Sequence, residues 1–379
     1  MSSLTVGRSG PVTGESQTAA TGPARLVGRV AREIVLTERQ RPGEPVRAAF
    51  QRLAAALAAG DAVLLSLMVY GALSARREIE AAMWSELGAV DWPVTWIEGL
   101  GGDAQPLAGL QAFALSGRPV ARIRVGHRVV ASVFEDGSAR HCLLGGLGPT
   151  AAGLTRGAQV QQTFATLEWA LGRAGFALAD VVRTWFYNES ILAWYDDFNR
   201  VRSAHYAHVP WRTGSLPAST GIGARNADGA ALVVAAWAMQ PLDAKAYARE
   251  VGSPLQCPAP KYGSSFSRAV ELASGGVRRL FISGTASIHP DGRTAWVGDI
   301  EKQVALTMEV VAAILQSRGM DYHDVTRATA YFKAPEYMPA FRAWCADREL
   351  AGMPVVPLHA DVCRDALLFE IELDAVTAA

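Results

Sequence analysis

The chain has 379 residues, half of them apolar and 19% charged, with 36 Lys plus Arg balanced by 36 Asp plus Glu. That length suits two ordinary domains with a sizeable core, and the even balance excludes a protein that grips nucleic acid through bulk positive charge. Cys142, Cys257, Cys345 and Cys363 fit no metal, redox or disulfide spacing, which points to a reduced, cytoplasmic setting.

Residues 1–25 are rich in Ser, Thr, Gly and Ala, lack the apolar stretch of a signal peptide, and read as a disordered lead-in. Residues 26–119 read as an extension of strands and helices: a helix over 45–60 ending in Gly, a buried strand over 62–73, a helix over 78–87 and a strand over 94–100. The run 62–73 is too short to cross a bilayer, so no membrane partner is expected. Residues 121–135 alternate strongly up to Asp136-Gly137, a hairpin signal, and a strand follows over 140–147. A helix over 158–175, a strand over 180–187, a helix over 191–206 and a strand over 230–239 complete a unit placed at 120–243. A linker is expected at 244–257. The same order then returns at 258–379: strands 264–272 and 278–288 around Gly275-Gly276, helix 300–318, strand 325–332, helix 336–348 and a last strand over 366–376.

The repetition is visible residue by residue. LGRAGFALADVVRTWFY (171–187) lies over LQSRGMDYHDVTRATAY (315–331), so that Gly175 meets Gly319, Asp180 meets Asp324, Arg183 meets Arg327 and Tyr187 meets Tyr331. Two divergent β-β-α-β-α-β repeats with their helices on one sheet face make an α+β fold. The other sheet face must be buried too, which predicts barrel-like packing or an oligomer.

The last strand holds Glu370 and Glu372 one residue apart in an apolar run, so both side chains point to one face. Glu370 is either a salt-bridged strand residue or an acid held in a site. The repeat offers a reason for the second reading, because its counterpart in the first copy is Val233 or Val234. Arg183 and Arg327 share a repeat position, which fits a structural ion pair with an Asp as well as a ligand role. His205 and His208 have no third partner, so no metal is expected, and GGLG at 145–148 is too weak to count as a phosphate loop. No cofactor is implied.

SGTASI followed by PDG, the stretch GMDYHDVTRATAYF and the terminal LLFEIELDAV resemble the Rid superfamily. That resemblance implies trimers of a chorismate-mutase-like fold with ligand pockets between subunits, hence a homotrimer. Rid imine deaminases carry an Arg some fifteen residues before the terminal acidic strand; here those places are near Val355 and Ser219, and neither is Arg. RTWFY (183–187), LPASTGIG (216–223), YGSSFSRA (262–269) and VCRDALLFEIE (362–372) are similar to the chorismatases, tandem Rid-like proteins that hydrolyse chorismate to pyruvate and a dihydrodiol or hydroxybenzoate. The resemblance makes Glu370 the acid that protonates the enolpyruvyl methylene. Cys363, seven residues earlier, matches members that form 3-hydroxybenzoate. A small-molecule carboxylate of this kind needs guanidinium or ammonium clamps, for which Arg183, Arg202 and Lys333 are candidates by position. Tyr187, Tyr195 and Tyr206 would supply aromatic walls, and the backbone around Gly284, Thr285 and Ala286 an oxyanion site.

Overall fold

The computed structural model of the chain describes residues 24–27, 32–101, 105–151 and 153–379. The expected disordered lead-in therefore lies outside the described residues up to position 23. The described residues form three sheets, one per unit.

The first unit runs β1 (Ala24–Val27), β2 (Arg32–Glu38), α1 (Val46–Gly60), β3 (Val63–Gly71), α2 (Arg76–Leu87), β4 (Val94–Glu98) and β5 (Leu107–Ser116). The second runs β6 (Ala121–Val125), β7 (Arg128–Glu135), β8 (Ala139–Leu147), α3 (Arg156–Arg173), β9 (Val181–Asn188), α4 (Tyr195–Tyr206), β10 (Ala218–Gly223) and β11 (Leu232–Pro241). The third runs β12 (Tyr247–Val251), β13 (Ala269–Ser274), β14 (Val277–Ala286), α5 (Ile300–Gln316), β15 (Val325–Phe332), α6 (Met338–Ala346), β16 (Val355–His359) and β17 (Phe369–Ala378).

The two repeats read from the sequence are joined by a third unit of the same topology. In each sheet the last strand lies between the strand that precedes the first helix and the strand between the helices, and a short parallel strand forms the edge. Residues 24–116 are thus the first of three like units. The expected linker at 244–257 contains the edge strand β12, paired antiparallel with β13. The strand expected over 264–272 begins only at Ala269, because the preceding residues form the wall of a cleft.

Local chemistry explains the matching positions. Gly175 and Gly319 adopt φ of 77° and 69° just past α3 and α5, a left-handed turn that favours glycine. Asp180 and Asp324 each accept a 2.9 Å bond from the backbone N–H three residues earlier, fixing the turn into the next strand. Thr155 and Asp299 cap the N-termini of α3 and α5 through side-chain oxygens.

Each helix pair covers the outer face of its own sheet. The inner faces pack on one another within the chain, with Phe113, Leu143, Trp237, Leu272 and Phe281 in one shared core and Tyr70, Tyr187 and Tyr331 in another. The buried second face expected from the sequence is therefore satisfied by one polypeptide.

The three tyrosines hold one position in the three units. Tyr70 pairs with Gly109, Tyr187 with Val233 and Tyr331 with Glu370. At Gly109 a Cβ would stand 2.7 and 2.8 Å from the methyls of Val356, so the third and first units close tightly there. At Gly145 a Cβ would meet Thr95 Oγ1 at 2.7 Å, and the first and second units close likewise. Between the second and third units a cleft opens beside Glu370. We expect Gly109→Ala to destabilise the chain by about 1–3 kcal/mol through overpacking, measured by urea denaturation; an unchanged midpoint would contradict the tight closure.

Candidate active site

The cleft between the second and third units holds about 490 Å³ of empty space, its open mouth included. The second unit contributes Tyr195 and Arg202 from α4, and Ser219 and Gly221 from β10. The third contributes Tyr262, Ser264, Phe266 and Arg268 from the segment before β13, Gly284 and Ala286 from β14, and Glu370 from β17. Cys363, Arg364 and Leu367 come from the loop before β17. Gln303 of α5 holds that loop, donating to Ala366 O at 2.9 Å and accepting from Leu368 N–H at 2.9 Å.

Glu370 stands opposite Ala286 and Tyr331 in the sheet, beside an irregularity in β14 between Ile282 and Thr285. Such bulges re-aim side chains next to sites. Gly284 is required there, because a Cβ would overlap Glu370 Oε1. The Glu370 carboxyl is 5% exposed and makes no ion pair among the described residues. Burial first, and then the charge of Glu372, pushes its pKa up to about 8, against the opposing pull of Arg268 and Arg183. At neutral pH it is mainly a carboxylic acid.

Glu372 has the opposite environment. Burial would raise its pKa, but Arg327, Arg183 and the hydrogen bonds of Arg327 and Trp185 outweigh that and hold it low. Arg327 reaches it with two 2.9 Å bonds, Trp185 Nε1 donates to it at 2.6 Å, and Arg183 Nη2 is its third partner. Two carboxyls on one strand face thus have their pKa values driven apart, a pattern that separates an acid from a fixed anion.

Three guanidiniums face the cleft without a carboxylate partner. Arg268, 2% exposed, donates from Nε and Nη2 to Cys257 O at 3.0 and 2.9 Å. It lies over Tyr262 and Phe266 at 5.3 and 5.6 Å from their ring centres. Arg364 donates to Gly292 O at 2.6 Å. Arg202, also 2% exposed, donates to Asn199 Oδ1 at 2.6 Å and lies over Phe198 at 4.9 Å. Backbone and amide oxygens aim these side chains but do not neutralise them. Burial, aided by the charge of Glu370, pushes the Cys363 thiol up to about 12, so it remains protonated.

Of the residues singled out in the sequence, the cleft gathers Glu370, Cys363, Tyr195, Arg202, Gly284 and Ala286. Five others stand elsewhere. Arg183 is spent on Glu372, the ion pair anticipated for it but with a Glu as partner. Tyr187 is buried at the meeting of the sheets, its hydroxyl 3.2 Å from that of Tyr70. Tyr206 packs in the helix-side core of the second unit, edge-on to Trp211. Lys333 pairs with Asp365. Thr285 points away and donates to Ser283 O at 2.8 Å. The backbone N–H of Gly284 is taken by Thr220 Oγ1 at 3.1 Å, which removes it as an oxyanion donor.

Sequence reasoning passed over Arg268, Arg364, Tyr262 and Phe266 as individual residues. A signal was present: 257–270 holds Arg268 among aromatics with no acid to pair it. Among the described residues no group of three or more His, Cys, Asp or Glu is placed to hold a metal, and no helix is long and apolar enough to cross a membrane.

No family model matches the chain. Its fold is that of a solved chorismatase, with a TM-score of 0.62 at 19% identity over 90% of this chain and 98% of that one. In sequence it is 29% identical over 224 residues to a 3-hydroxybenzoate synthase of Streptomyces hygroscopicus, covering 52% of this chain and 64% of that protein. It is 29% identical over 228 residues to a chorismatase of Streptomyces rapamycinicus, covering 53% of this chain and 65% of that protein. Both matches span less than two thirds of the relative's length. In fold and in part of its sequence the chain is similar to these proteins. It resembles the chorismatases.

The Glu370 pKa of about 8 lies above the value of roughly 4.3 for an unfolded Glu. The stability this group contributes is fully present below the unfolded value and is lost as pH rises through about 8. Relative to Glu370→Gln, the native chain should therefore lose stability on the order of 3 kcal/mol between pH 5 and pH 8.5. Denaturant titrations across that range measure it, and a pH-independent gap would contradict the buried acid.

Proposed function

We propose that the chain is a chorismatase-type enzyme that cleaves the enolpyruvyl ether of chorismate or a close analogue, releasing pyruvate and a hydroxybenzoate or dihydrodiol. The observation that carries this reading is a protonated, buried Glu370 in a cleft with three carboxylate-free guanidiniums. Arg268, Arg202 and Arg364 suit a substrate with two carboxylates, since buried positive charge favours anions that supply the missing partners. Tyr195, Tyr262 and Phe266 suit an unsaturated ring between them.

In the proposed reaction Glu370 gives its proton to the methylene carbon of the enol ether, which becomes a methyl group. The adjacent carbon becomes an oxocarbenium ion, and the new Glu370 carboxylate lies beside it. Water adds to that carbon and returns a proton to Glu370. The resulting hemiketal collapses by breaking the ether bond, leaving pyruvate and the ring alcohol; capture by the neighbouring ring hydroxyl in place of water gives a cyclic ketal, which loses the proton of the ether-bearing ring carbon as the bond from the adjacent ring carbon to the former hydroxyl oxygen breaks, and the aromatic hemiketal then releases pyruvate and the hydroxybenzoate. Cys363 stays an un-ionised thiol and so serves as a wall of the cleft rather than as a nucleophile, although its spacing from Glu370 matches the 3-hydroxybenzoate-forming members. Ser219, at a place where a Rid deaminase carries Arg, offers no charge, which disfavours imine hydrolysis.

Incubating the protein with chorismate and coupling pyruvate to lactate dehydrogenase tests this reading. Pyruvate should form in step with chorismate loss, with kcat falling above about pH 8 as Glu370 loses its proton. Glu370→Gln should lower kcat at least about 100-fold, the contribution expected of a general acid. A folded protein that binds chorismate and returns it unchanged would refute the enzyme and favour a binding role.

A further inference from the structure

The strand that carries Glu370 holds two more buried acids on the same face. Phe369, Ile371, Leu373 and Ala375 of β17 lie in the core beneath α5 and α6, so Glu370, Glu372 and Asp374 project to the other side. Two buried guanidiniums face these three carboxyls. Arg327 donates twice to Glu372 and once, at 2.8 Å, to Asp374, while Arg183 donates to Glu372. Arg183, Arg327 and Glu372 are wholly buried. Three acids against two bases leave one negative charge in excess. A proton cancels it at least cost on the acid that makes no ion pair, because a protonated Glu372 or Asp374 would forfeit bonds to arginine.

We propose that Glu372 is a positioning residue: by engaging both buried guanidiniums it leaves Glu370 as the carboxyl that carries the proton. The inference rests on the reading of Glu370 as the acid of the cleft, and it assigns a role to a residue that the cleft does not touch. The other groups facing Glu370 lie on the cleft side or are neutral. Arg268 acts on it from the cleft side, in the wall meant for a substrate anion, and Arg202 and Arg364 stand in the same wall. Tyr262, Tyr195 and Cys363 are neutral, their protons held by burial. Tyr331, across the sheet, is neutral for the same reason. The first unit reaches the stripe through Gln111, whose Oε1 accepts from Arg327 at 2.7 Å and whose Nε2 donates to Ala328 O at 2.7 Å. It adds hydrogen bonds and no charge to the three acids and two bases of the strand face.

The test is isotope-edited infrared spectroscopy of the full chain carrying labelled glutamate, at pH 7. A protonated-carboxyl band missing from Glu370→Gln identifies Glu370. In Glu372→Gln two acids face two bases, so the proton affinity of Glu370 should fall at least a hundredfold and the band should all but vanish. The alkaline limb of pyruvate release should move by the same factor. In Glu372→Gln/Arg183→Met two acids face one base, and the band should return. A merely structural role predicts no such recovery from a second loss. Where Glu372→Gln fails to fold, Arg183→Met alone decides: three acids against one base should raise the affinity several-fold. A band that persists in Glu372→Gln, that stays absent in the double variant, or that is unmoved in Arg183→Met overturns the inference. If the band follows the count while chorismate remains uncleaved, the inference stands and the functional reading fails.

Discussion

Glu372 is a single carboxylate bonded by two units and tied to a third. Arg327 comes from its own sheet, Arg183 and Trp185 from the second unit, and Gln111 of the first joins through Arg327. A buried ion pair of this kind adds little net stability over a well-packed apolar core, but losing one partner costs about 3–5 kcal/mol because a bare charge remains. Its effect is to penalise every arrangement of the three sheets except the one in which these groups meet. The apolar faces around it supply the attraction; the ion cluster supplies the register. The cleft depends on that register, since its walls come from two units and Glu370 sits two residues from the hub.

The interfaces between units differ in what fills them rather than in backbone. Val356 packs against Gly109, and Thr95 with Pro93 against Gly145, at two of them. At the third, Gly284 and Gly221 keep the walls thin and Glu370 occupies the space. A carboxyl placed there meets apolar surroundings on the helix side and arginines on the open side. That combination keeps its proton on while attracting anions.

Much of this was legible in the chain, for identifiable reasons. The 144-residue offset exposed the second and third units because the turn glycines and the Asp180/Asp324 pair do the same local work in both. The first unit escaped because its corresponding turn is built differently: α1 ends at Gly60 with Asp61, not glycine, in the left-handed conformation. Glu370 stands out in the sequence because it differs between copies. Asp374 was passed over although it continues the same alternation. Arg183 and Tyr187 were misassigned because a buried arginine or tyrosine reads the same in sequence whether its partner is a ligand or another sheet. Arg268 and Arg364 lie in irregular segments with no periodicity to mark a face, and only the fold brings them to Glu370.

Equivalent positions in the three units converge at the hub. Glu372 pairs with Thr329 as Gln111 pairs with Met68 and Ala235 with Trp185. In an assembly of identical subunits, any charge at such a position would face two copies of itself across a threefold axis. Three carboxylates would then compete for the same few cations, or all would take up protons together. Joining the units in one chain removes that constraint: one position keeps the anion, its neighbour offers an uncharged amide, and the third is a methyl group. An unequal distribution of charge around a near-symmetric axis is open only to a chain whose three parts have separate sequences.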